Sequence, residues 1–136
     1  MQVNPYLMFD GRCEAAFQFY EKCLGARIAF KMTFGESPMA DQCPPGWEKA
    51  IMHAHLSLGD RAIMGSDCPP DRYSKPQGFS VSLNFDAPSE AERVYKAMSE
   101  NGTVTMPLQE TFWAAKFGMF VDQFAIPWMI NCEKPK

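Results

Sequence analysis

Hydrophobic and polar positions change period several times along the chain, and each change marks an element. Ala16, Phe19, Tyr20, Cys23 and Leu24 recur at helical spacing as one apolar stripe, and Gly25 supplies the stop. A second stripe runs through Ala91, Val94, Tyr95 and Met98, with Ser89 and Glu92 at capping-box spacing before it and Gly102 past its end. Each helix is expected to pack one face on a sheet. Strand-like stretches follow the first helix at Arg27 to Phe34, Ile51 to Leu58 and Arg61 to Gly65, the last two joined by Gly59-Asp60 as a tight hairpin. After the second helix they fall at Thr103 to Pro107, Ala115 to Asp122 and Ile126 to Asn131. A short apolar run precedes each helix, so the pattern predicts βαβββ twice.

The two halves also align as sequences. Leu7-Met8-Phe9-Asp10 lies over Leu83-Asn84-Phe85-Asp86, and Glu14-Ala15 falls on Glu90-Ala91 at the same offset. After one inserted residue Gly25 matches Gly102. Identities at the start of a strand, at the start of a helix and at a helix stop are what a duplicated supersecondary unit predicts. The expected organisation is one domain over residues 1–136, with a first module of about 1–76 and a second of about 77–136. Pro- and Gly-rich stretches between Gly35 and Trp47 and between Cys68 and Gln77 read as long loops beside a pocket.

Composition narrows the partners. Apolar residues at 46% and charged residues at 21% give a globular balance, and a net charge of −3 without basic runs predicts no nucleic acid and no anionic membrane as partner. Five cysteines, Cys13, Cys23, Cys43, Cys68 and Cys132, form no CxxC pair, so neither a disulfide framework nor a zinc knuckle is expected. With no membrane-length apolar stretch and no signal-like start, the expected location is the cytoplasm.

Asn4-Pro5-Tyr6-Leu7, Glu14-Ala15, Phe19-Tyr20, the pair His53 and Asp60, the run Pro107 to Trp113 and the run Pro127 to Asn131 together resemble the PhnB-like branch of the vicinal oxygen chelate superfamily, which includes glyoxalases, bleomycin resistance proteins and dioxygenases. The resemblance covers almost the whole chain. It implies an α+β fold in which two βαβββ modules form a curved mixed sheet around a cavity, with helices outside. It also implies a small-molecule ligand and a homodimer. Ala114 departs from the branch pattern, as do Gln123 and Ala125, which stand where a proline and a glycine are usual in the turn before the last strand. Metallo-enzymes of the superfamily draw four His or Glu ligands from the first and fourth strands of the modules. The matching positions here are Pro5, Met64, Phe79 or Ser80, and Met129, none of them an imidazole or a carboxylate. No metal and no cofactor are therefore expected at that place.

His53 and His55, the only histidines, stand two apart on a strand and so share a face with Ser57. They could chelate an ion with Asp67 or Glu110, serve in proton transfer, or simply hydrogen-bond along a polar strand face. Glu110, Trp113 and Trp128, with Phe112, sit in the motifs that carry the resemblance. They suit either a pocket for an apolar ring, with one carboxylate of raised pKa, or ordinary packing beside a solvated acid. The expected ligand contacts are His53, His55, Glu110, Trp113 and Trp128, while Asp67 is read as a turn cap. The leading functional reading is a metal-independent small-molecule-binding protein, with or without proton-transfer activity. A divalent-metal lyase or dioxygenase with a site rebuilt on the histidines is the rival. A methyltransferase acting on a quinone precursor is weakest, because Asp10-Gly11-Arg12-Cys13 is no glycine-rich donor loop.

Overall fold

The structure, a computed structural model, describes residues 1–135 and divides the chain into two compact units, Met1 to Ser74 and Lys75 onward. In the first unit the order is β1 (Tyr6–Phe9), α1 (Cys13–Leu24), β2 (Arg27–Thr33), β3 (Ile51–Leu58) and β4 (Arg61–Asp67). In the second it is β5 (Val81–Phe85), α2 (Pro88–Met98), β6 (Thr103–Gln109), β7 (Ala114–Val121) and β8 (Pro127–Glu133). Each unit forms one four-stranded mixed sheet, ordered β1-β4-β3-β2 in the first and β5-β8-β7-β6 in the second. The opening strand pairs parallel with the last strand of its unit, and the other pairs are antiparallel. The α+β, twice-βαβββ reading of the pattern holds.

Register makes the duplication residue-specific. Tyr6 faces Met64 as Ser82 faces Met129, and Phe9 faces Asp67 as Phe85 faces Cys132. Because side chains alternate along a strand, Leu7, Phe9, Ala54, Leu56 and Ile63 share one face of the first sheet and are buried. Helix α1 covers that face with Cys13, Ala16, Phe17, Tyr20 and Cys23. The buried stripe therefore includes Phe17, where the sequence pattern pointed to Phe19, which is half-buried. The reason lies on the sheet: a side chain at Gly65 would meet the Phe17 ring at 3.0 Å, so the missing Cβ there makes the floor on which Phe17 rests.

The helix ends differ from expectation in an informative way. Ala87 is the N-cap of α2 with Pro88 at the first turn, so Ser89 lies inside the helix and the expected capping box does not form. Nor does the side chain of the α1 N-cap, Arg12, cap the helix. Asp67, at the end of β4, supplies the cap from a distance. Its Oδ1 accepts the Gly11 and Cys13 backbone N–H groups at 3.1 and 2.9 Å, and its Oδ2 accepts the Ile51 N–H at 2.8 Å. One buried carboxylate thus ties the start of α1 to β3 and β4, a wider role than the turn cap read from the sequence. Gly25 closes α1 in the left-handed conformation, φ 66°, as its place after the stripe predicts.

Candidate functional site

The face of the first sheet turned away from α1 carries the chemistry. Alternation brings His53, His55 and Ser57 of β3 to that face, with Tyr6 and Met8 of β1, Met64 of β4 and Phe30 of β2 beside them. Tyr6 hydroxyl and His53 Nδ1 lie 3.1 Å apart in a hydrogen bond that reaches over β4. Their rings stack at 5.7 Å between centroids, and Phe30 leans on His53 from the other side at 6.1 Å. Tyr6 and Phe30 remain 43% and 47% exposed, and Met8 is similarly open, although large apolar groups are ordinarily covered. Next to this cluster an open groove of about 660 Å³ is lined by residues 1–4, His55, Ser57 and the β3–β4 hairpin, including Asp60 and Arg61.

The second unit holds the other expected contacts, and they do not converge. Trp128 of β8 is fully buried on the face covered by α2, and its indole N–H donates to Asp122 Oδ2 at 2.8 Å. It is a core residue and offers a ligand no surface, which corrects its place among the expected contacts. Trp113 is half-exposed, stacked edge-to-face between Phe112 at 4.7 Å and Phe117 at 5.3 Å. Glu110 is 73% exposed and pairs with Lys134 at 3.5 Å, which matches the solvated acid of its two readings and not a carboxylate enclosed by rings. Asn131 and Asn84 bond through their amides at 3.1 Å on the open face of the second sheet, and Asn131 Oδ1 is buried with no hydrogen-bond partner among the described residues.

Asp122 escaped the sequence reading. Its Oδ1 accepts Phe124 and Ile126 N–H groups at 2.8 and 3.0 Å while Oδ2 takes Trp128, so one buried acid organises the β7–β8 turn. A signal was present in retrospect: an Asp at the head of a short turn, two and four residues before backbone N–H groups that its carboxylate can accept. Ala125 in that turn adopts φ 73°, keeping the left-handed geometry that a glycine would take without cost.

The residues at the superfamily's metal positions do not fit such an ion. Pro5 contributes only a carbonyl, already accepting the Met64 N–H at 3.0 Å, and Met64 and Met129 stand at matching register positions with thioethers that suit soft Cu(I). Among the described residues no three His, Cys, Asp or Glu side chains gather as a ligand set. The cysteines offer no nucleophile on the open faces: Cys13, Cys23, Cys68 and Cys132 are buried, and burial, with the negative charge of Asp67 second, drives the Cys13 thiol far up from its ordinary pKa.

Two βαβββ units, each presenting one sheet face free of its helix, define a class of protein, and the comparisons name it. Residues 2–130 match the sequence model of the Glyoxalase/Bleomycin resistance protein/Dioxygenase superfamily, and the chain belongs to that superfamily. It is 38% identical to Protein YjdN of Escherichia coli (strain K12) over 98% of this chain and 97% of that protein. It is 46% identical to protein PA1353 of Pseudomonas aeruginosa, whose crystal structure superposes with a TM-score of 0.91 over 99% of both chains. The PhnB protein of Bacillus cereus shares the fold at 22% identity and a TM-score of 0.81, over 97% of this chain and 99% of that one. The PhnB-like resemblance read from the motifs stands.

Proposed function

We propose that the chain is a small-molecule-binding protein that works without a divalent metal and takes its ligand on the open face of the first sheet. The observation that carries this reading is the cluster of Tyr6, Phe30 and His53, half-exposed apolar and polar groups on a built sheet face. Beside it Met64 occupies a position where a metallo-relative would place a ligand. A thioether cannot polarise a carbonyl or hold a hard ion, so the chemistry this face can add to binding is proton transfer through His53 or His55. Of the contacts expected from the sequence, His53 and His55 remain the proposed ones on this face, joined by Tyr6 and Phe30; Trp113 and Glu110 lie in the second unit and are kept as proposed contacts of that unit by itself.

The proposed assembly is a homodimer, and the proposed compartment is the cytoplasm, where the free thiols of the described residues would stay reduced. No helix among the described residues is long and apolar enough to cross a membrane. Native mass spectrometry of freshly purified, untagged protein, with elemental analysis, tests the reading. A co-purified organic ligand and sub-stoichiometric metal are expected. Stoichiometric zinc, nickel, manganese or iron that survives chelator would instead favour the lyase or dioxygenase reading with His53 and His55 as ligands.

A further inference from the structure

We propose that the open face of the first sheet selects a planar aromatic carboxylate, its ring packed against the Tyr6–His53–Phe30 cluster and its carboxylate held in the adjoining groove by His55, Ser57 and Arg61. This rests on the small-molecule reading above and names the ligand class for that site. The three rings come from three strands, β1, β3 and β2, with Met64 of β4 between them on the same face. Tyr6 stacks on His53 within 26° of parallel and Phe30 leans on it with a tilt of 44°, so the three rings form one aromatic cluster on this face, with Tyr6 and Phe30 its half-exposed flanks. A flat ring gains stacking there in addition to area, whereas a saturated ring of equal size gains area alone.

The groove adds the polar end. His55 follows His53 by two residues on one strand, which sets about 7 Å between them, the span from the far ring of a bicyclic aromatic acid to its carboxylate. Asn4, His55, Ser57 and Arg61 line the groove with hydrogen-bond donors, and Asp60 is the acid among its lining residues. Arg61 and Asp60 pair at 3.8 Å with both side chains almost fully exposed, a contact that contributes little and that a ligand carboxylate can replace. The second unit lacks the device. By register its counterparts of Tyr6, His53 and His55 are Ser82, Phe117 and Met119, so neither imidazole recurs.

The test titrates isotope-labelled, full-length protein with 2-naphthoate, with 2-naphthalenemethanol as the neutral aromatic probe and with decalin-2-carboxylate as the saturated acid. The ring signals of Tyr6, Phe30, His53 and His55 are followed by NMR. The expected result is that 2-naphthoate perturbs all four and binds about fivefold or more tightly than the saturated acid. R61A should weaken 2-naphthoate and leave the alcohol unchanged, while Y6L and F30L should weaken both aromatic probes. Tyr6, Phe30 and Arg61 are exposed, so these variants should keep the parent melting temperature, checked in parallel. Equal affinity for the saturated acid at these residues would overturn the aromatic class and leave the small-molecule reading standing. Silence of these signals toward all three probes would overturn the class as well, and an empty native mass spectrum beside it would remove the wider reading.

Discussion

Asp67 shows how one side chain can hold several elements. Burial raises its pKa above the ordinary carboxylate value of 3.8, and the N–H groups of Ile51, Cys13 and Gly11 pull the other way without cancelling the shift. D67N should cost about 1–3 kcal/mol in urea unfolding at pH 7, because the amide turns a donor toward the Ile51 N–H. The sign of the pH dependence follows from the raised folded value. The proton is held more tightly folded than unfolded, so the stabilisation from this group is complete below about pH 3.8 and declines as pH rises through the folded pKa. The stability gap between parent and D67N should therefore narrow over that range. A gap that widens would contradict the burial argument. At Ala125 the strain is in the backbone: φ 73° costs an alanine what glycine avoids, partly offset by the greater freedom of unfolded glycine. A125G should raise stability by about 0.5–1 kcal/mol in thermal or urea unfolding.

At the scale of elements, both helices, all the strands and the Gly59-Asp60 hairpin were legible, because a 3.6-residue stripe and a two-residue alternation survive in the sequence whatever the packing. What failed was local. Phe17, and not Phe19, lies in the core with Cys13, Ala16 and Tyr20, and its ring rests against Gly65, far along the chain. The capping box at Ser89 was displaced by Pro88, whose fixed φ suits the first helical turn. G65A should cost about 1–3 kcal/mol, since its Cβ would stand 2.9 Å from the Leu7 carbonyl oxygen and 3.0 Å from the Phe17 ring. The F17L/G65A double variant should recover part of that loss; strict additivity in the unfolding cycle would show that the two positions do not share space.

For the whole molecule, each unit leaves sheet edges and one sheet face that its own helix does not cover, and a second copy is the expected neighbour. Light scattering at micromolar concentration should return twice the chain mass, and a single-chain mass throughout would refute the dimer. The sequence by itself determined the superfamily, the duplication, the alternation that puts His53 and His55 on one face, and the loss of imidazole and carboxylate at the metal positions, since residue identity and short-range periodicity carry all of these. Tertiary structure alone decided that Trp128 belongs to the core, that Glu110 lies in solvent beside Lys134, and that Tyr6 reaches His53 across an intervening strand. Burial and contact across strands depend on which distant segments pair and in what register, and no local window of the chain encodes that pairing.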